Sequence, residues 1–292
     1  MRRQCCESGS FVGKYRVISL ISYGTSALVY EVEYNDQRYI LKEFFPEGLH
    51  EREIITRKNG NYVKVKKSNF FLWKRVKFEF YRFIYIARRL SCCDDLNKNM
   101  TVAIDVIWKN NTVYAVYPYE HCKDWKQING ESYELILKRC VDIADIIRRI
   151  HKQGWLVVDI KSSNFLIDES GDIKLCDFDS MVKISQIKKQ RFFKCSSETA
   201  PSELLYGDIE HVSEKSDLCS IAAMLCTKFT GKPYNNRSLN EIETLIQSWN
   251  SSMKTEFLDV LYEALDDNVD NRDIDVKEFG MRIRRLMRCN DV

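Results

Sequence analysis

The chain has 292 residues, 45% of them apolar and 30% charged, enough to bury a substantial core in one two-lobed domain or two smaller ones. A net charge of +3 gives no argument for a nucleic-acid or membrane surface. No run of about 18 apolar residues is present to cross a bilayer, and four Pro and eleven Gly leave no room for a long flexible linker.

The eleven cysteines are odd in number and include no Cys-x-x-Cys pair. Neither a disulfide framework nor a zinc site is indicated; reduced thiols in a cytoplasmic protein are expected. The N-terminal MRRQCCESGS lacks the apolar stretch of a secretory signal, and residues 1–13 read as a flexible tail.

Residues 15–19 and 27–34 alternate and are rich in Val and Tyr, and residues 38–42 make a third strand after a turn at Asn35-Asp36. Residues 54–65 hold two strand-like runs around Asn59-Gly60, a hairpin signal within an insertion spanning 50–67. Helical spacing of Val76, Phe80, Phe83, Ala87 and Leu90 predicts a helix over 73–90. Strands return over 100–119, with a turn at Asn110-Asn111. Ile136, Cys140, Ile143, Ile147 and Ile150 mark a helix over 133–153, ended by Gly154. Residues 217–229 form an almost wholly apolar helix, opened by Asp217 as N-cap, as brace for a neighbouring loop, or as both. Amphipathic helices follow over 239–249, 255–265 and 276–287. The expectation is an α+β chain: a small β-rich lobe over 14–119, a larger helical lobe over 120–292, and a ligand cleft between them.

The densest chemical signal is VVDIKSSNFLIDESGDIKLCDFDS, residues 157–180. Phosphoryl transfer from ATP needs a carboxylate to orient the hydroxyl and accept its proton. It needs a cation for the moving phosphoryl group, and an amide oxygen and a second carboxylate to hold Mg2+. Asp159, Lys161, Asn164 and Asp177 supply these types in that order.

From about residue 15 to 286 the chain resembles the eukaryotic-like protein kinase family. The family's catalytic loop H-R-D-L-x-x-x-N and its D-F-G motif are matched by Asp159 and Asn164 at the family spacing and by Asp177-Phe178-Asp179. Lys42-Glu43-Phe44-Phe45-Pro46 and Asp177-Phe178-Asp179-Ser180 look closest to a bacterial subgroup. The resemblance implies a bilobal kinase fold, ATP and Mg2+ as cofactors, and a protein substrate phosphorylated on Ser or Thr. It casts Asp159 as base, Lys161 on the γ-phosphate, and Asn164 and Asp177 as metal ligands. Lys42 would grip the α- and β-phosphates. Ser22, Gly24, Ala27 and Val29 would cover the phosphates, and Tyr117 and Tyr119 would meet adenine. Ala200-Pro201-Ser202-Glu203 resembles A-P-E, which implies an ion pair from Glu203 to Arg272.

Four departures qualify the resemblance. The phosphate loop keeps only Gly24, with Ser22 and Ala27 in place of the outer glycines. Ile86 stands where a Glu should clamp the strand lysine, and Glu79 is the only acid in that helix. Val157-Val158 replace His-Arg, so phosphorylation at Ser185, Ser196, Ser197 or Thr199 is expected to be dispensable. Asp179 replaces a glycine; Asp is among the few residues that tolerate left-handed backbone. Two readings stay open: an active Ser/Thr kinase, and a pseudokinase that binds a nucleotide or partner as a scaffold. A small-molecule kinase of the same fold is disfavoured by the Ala-Pro segment and its expected ion pair. Oligomeric state is not fixed by these features.

Overall fold

A computed structural model describes residues 5–57, 60–93, 96–235 and 237–288. The chain divides into two compact units, one of residues 1–91 and 101–121, the other of residues 92–100 and 122–292.

The first unit is built on an antiparallel sheet. Its strands are β1 (Phe11–Val12), β2 (Tyr15–Tyr23), β3 (Ala27–Tyr34) and β4 (Gln37–Phe44), and later in the chain β7 (Asp105–Lys109) and β8 (Thr112–Pro118). The order is β1-β2-β3-β4-β8-β7. Asn35 and Asp36, and Asn110 and Asn111, all take positive φ. That is the backbone a two-residue hairpin requires and Asn or Asp tolerates. Between β4 and the long helix lie α1 (Glu47–Glu51) and a separate hairpin, β5 (Ile55–Arg57) with β6 (Val63–Val65). Asn59 of the expected turn lies outside the described residues. Helix α2 (Phe70–Ser91) packs through Trp73 and Phe80, whose rings lie 5.4 and 5.0 Å from Phe44.

Residues 1–13 are not a tail throughout. Cys6 is buried in the core, Val12 is fully buried, and β1 pairs with β2. The insertion over 50–67 also contributes to the core. Arg57 from β5 and Glu43 from β4 form a buried ion pair. Tyr30 Oη donates to Glu43 Oε2 at 2.7 Å, and Cys6 Sγ lies 3.7 Å from the same oxygen. Burial works against the Arg57 charge, but Glu43 beside it more than offsets this and holds the guanidinium above its ordinary range. Burial, and then the charge of Glu43, pushes the Cys6 thiol up to about 12, so it is neutral and inert.

The second unit is mainly helical: α3 (Tyr133–Lys152), α4 (Ser202–Tyr206), α5 (Glu214–Thr230), α6 (Ser238–Leu245), α7 (Ser251–Leu265) and α8 (Val276–Arg288). Ser132 caps α3 by accepting from Leu135 N, and Gly154, at φ 78°, follows its end. Short strands complete the unit: β9 (Lys123–Asp124), β10 (Trp155–Leu156), β11 (Phe165–Ile167), β12 (Ile173–Leu175) and β13 (Val182–Lys183). β9, β11 and β12 form one sheet, and β10 pairs with β13. The Glu203–Arg272 pair is present: both side chains are buried, with Nη1–Oε1 at 2.6 Å and Nη2–Oε2 at 3.2 Å. The bidentate geometry suits the planar guanidinium.

Candidate active site

Helix α5 begins earlier than its apolar run suggests, because Ser213 caps it in a capping box with Ser216. Asp217 therefore lies within the first turn and is not the N-cap. Its fully buried carboxylate accepts from Val157 N and Val158 N, each at 2.8 Å, and meets His151 Nε2 at 2.7 Å. These bonds hold a tight turn. Val158 has φ 70°, and Asp159 N donates to Val157 O at 2.9 Å. A β-branched residue at the centre of such a γ-turn is strained by about 1–3 kcal/mol, and persists only where its surroundings over-determine it. The turn delivers the next residue, Asp159, into the site.

Asp159 is buried, and Lys161 Nζ lies 2.7 Å from its Oδ2. Asn164 Nδ2 donates to Asp159 O at 2.8 Å and to its Oδ2 at 3.3 Å. Asp159 Oδ1 has no hydrogen-bond partner among the described residues. A buried carboxylate oxygen left this way calls for a donor from a ligand, as a substrate hydroxyl would supply.

The β11–β12 hairpin sets the register for the fourth residue. Phe165 faces Leu175, so Asn164 and Cys176 are opposite, and Cys176 N donates to Asn164 O at 2.9 Å. Asp177, half-buried, follows directly. No group of three or more His, Cys, Asp or Glu among the described residues could form a metal site alone. Mg2+ bound to a nucleotide needs none, since it takes few protein ligands and draws the rest from phosphates and water. An amide and a carboxylate, Asn164 and Asp177, fit that donor set.

Downstream, Asp179 is ion-paired with Lys194, and Ser180 Oγ donates to Val157 O at 2.9 Å. Thr199 Oγ1 donates to Ile160 O at 2.6 Å. Val158, where the resemblance implies a cation, packs in an apolar cluster with Val182, Ile187, Phe193, Leu204 and Val212. Burial, with Asp159 nearby, raises the Cys195 thiol, which disfavours thiolate chemistry there.

The remaining predicted site residues belong to the first unit. Ser22 pairs with Val29 across β2–β3, and Val29 pairs with Lys42 across β3–β4. Lys42 in turn faces Ala115, and Ile40 faces Tyr117. Tyr119 follows β8, its ring edge-on to His121 at 5.3 Å. In the β2–β3 turn, Gly24 N donates to Ala27 O at 2.9 Å, and a Cβ on Gly24 would stand 3.3 Å from that oxygen. Two further bonds tie this loop to the segment after β4: Phe45 N to Ser26 O at 3.2 Å and Glu47 N to Thr25 O at 2.9 Å. Ile86 is buried in α2, whereas Glu79 is exposed and 3.9 Å from Arg75.

Sequence reasoning named Ser180 and Thr199 without their bonds to Val157 O and Ile160 O, and missed His151 and the Glu43–Arg57 pair. Glu43 did carry a signal. It occupies the inward register of β4 two residues beyond Leu41, where an acid is expensive without a partner.

Comparison with known proteins agrees with this geometry. A family model described as protein kinase domain matches residues 52–274. The serine/threonine-protein kinase RUNKEL of Arabidopsis thaliana is 32% identical over 109 residues, covering 37% of this chain and 7% of that protein. CTD kinase subunit alpha of Schizosaccharomyces pombe is 26% identical over 145 residues, 47% of this chain and 24% of its own. The probable serine/threonine-protein kinase CPE1738 of Clostridium perfringens is 26% identical over 185 residues, 59% and 27% respectively. The chain thus spans less than a third of the length of each of these relatives. With a β-rich unit, a helical unit, a braced Asp–Lys–Asn loop and a domain match over most of its length, the chain belongs to the protein kinase family.

Proposed function

We propose that the chain is an ATP- and Mg2+-dependent serine/threonine protein kinase. The observation that carries this reading is the state of Asp159: buried, fixed by Lys161 and Asn164, with Oδ1 unpartnered. In this reading Asp159 accepts the substrate hydroxyl's proton and Lys161 neutralises the γ-phosphoryl group in transfer. Asn164 and Asp177 hold Mg2+, which supplies charge neutralisation on the phosphates when bound. Lys42 binds the α- and β-phosphates. The backbone of the loop bearing Ser22, Gly24, Ala27 and Val29 covers them, and Tyr117 and Tyr119 line the adenine position.

In this reading the chain falls in a bacterial-type subgroup, on its resemblance at Asp177-Phe178-Asp179-Ser180, and a clostridial kinase is among its relatives. The reading also places the protein in the cytoplasm, acting on a protein hydroxyl with no role for nucleic acid. No helix among the described residues is long and apolar enough to cross a membrane.

A second reading, a nucleotide- or partner-binding pseudokinase, is favoured by buried Ile86 at the position of the clamping acid and by the single glycine of the phosphate loop. Purified protein with Mg2+, labelled ATP and a generic acceptor separates the two, with Asp159→Asn as control. The kinase reading expects transfer by the native chain and none by the variant. No transfer, with an ATP-dependent rise in Tm, selects the scaffold.

A further inference from the structure

Helix α2 uses one face for the core and leaves the opposite face uncovered. Trp73, Phe80, Ile84 and Ala87 point inward. On the outer face Phe71, Phe78 and Tyr85 are 84%, 59% and 53% exposed. Three large aromatics on one surface line are not explained by folding, since left in water they contribute none of the stabilisation that burial would give. They recur every seven residues, so they lie on one line about 21 Å long. Lys74, Arg75, Arg82 and Arg89 are exposed beside and between them. The whole helix carries six basic side chains and one acid, Glu79.

The ridge is also held rigid. Trp73 Nε1 donates to Asn111 O at 2.9 Å near one end, and Arg88 Nε to Ala103 O at 2.7 Å near the other. A partner would meet a preformed surface and would lose little affinity to ordering it.

We propose that the outer face of α2 is a docking surface for an acidic amphipathic helix of a partner protein. A seven-residue repeat of apolar anchors is the spacing at which one helix follows another. Cations on both sides of the anchor line call for acids flanking the apolar stripe of the incoming helix, as charged flanks specify partners in paired helices. Pairing with the same helix of a second copy does not fit, because its α2 is equally basic. A bilayer fits less well, since Arg75, Arg82 and Arg89 stand between the rings and would enter the interface at ring depth.

The test is selection with the full chain from a displayed library of helices about three heptads long, randomised at their surface positions. Enriched sequences are then measured by fluorescence anisotropy. Two variants serve as comparison: Phe71→Ser/Phe78→Ser/Tyr85→Ser, and Arg75→Glu/Arg82→Glu. Both alter exposed positions, and unchanged Tm verifies their folding. Enriched helices carrying an apolar heptad stripe with Glu or Asp beside it, and bound about tenfold or more weaker by each variant, are the expected result. The charge-reversed variant should select Lys-rich helices instead. Helices without acids, binding indifferent to both variants, or no enrichment over the triple-Ser variant would overturn the proposal. So would tighter binding to vesicles containing phosphatidylserine than to any selected helix.

Discussion

Val158 holds a conformation its side chain resists, and Asp217 supplies what holds it there. Asp217→Ala would leave two backbone N–H groups and His151 without their acceptor, each buried donor costing about 1–3 kcal/mol. The expected outcome is a fall in Tm of several degrees and a loss in kcat larger than the change in KM for ATP, because Asp159 loses its placement. A different residue gives a pH signature. His211 Nδ1 lies 2.7 Å from Asp208 Oδ2, and the hydrogen bond and charge of Asp208 raise the imidazole above its ordinary 6.5. The pair's contribution is complete below the unfolded pKa and is lost as pH rises through the raised value. Both groups are solvent-exposed, so the effect is read as an NMR titration of His211 that moves back towards 6.5 in Asp208→Asn, and not in Tm. At this scale type and spacing brought Asp159, Lys161, Asn164 and Asp177 forward as candidates, and the structure places the first three in contact. The sequence hid the bonds of Ser180 and Thr199, because a hydroxyl bonded to a distant carbonyl leaves no periodic trace.

Elements held by buried charge are the next level. Arg57 reaches Glu43 from the β5–β6 hairpin, and Arg272 reaches Glu203. Removing one partner of such a pair strands the other, so Arg57→Met and Arg272→Met should each cost about 3–5 kcal/mol in urea unfolding. The segment after Asp177 is fastened differently. Val158 and its apolar cluster, the Asp179–Lys194 pair and the Ser180 bond hold it without a phosphate. Ser185→Ala, Ser196→Ala and Ser197→Ala should therefore leave activity within about twofold in a steady-state assay. Thr199→Ala should not, because its buried hydroxyl bonds Ile160 O beside the catalytic Asp159 of our proposal. The long helices were legible from their 3.6-residue period, and the glycine after α3 marked its end. The start of α5 was not, because its capping box, Ser213 with Ser216, lies outside the apolar run.

At the scale of the whole molecule, two units of different architecture came from one reading of element order: strands first, helices after. The divide near residue 121 and the assignment of residues 92–100 to the helical unit depend on contacts that no local pattern expresses. The same holds for residues 5–12, whose two-residue strand is too short to show alternation. We propose that Lys42 and Asp177 both contribute to binding of ATP with Mg2+. A double-mutant cycle on ATP affinity tests this, with Lys42→Met, Asp177→Asn and the double variant in the presence of Mg2+. We expect each single variant to weaken binding, and the double to weaken it by clearly less than the two effects combined, because each loss already misplaces the phosphates the other holds. Binding unchanged in both single variants, or fully additive losses, would contradict it.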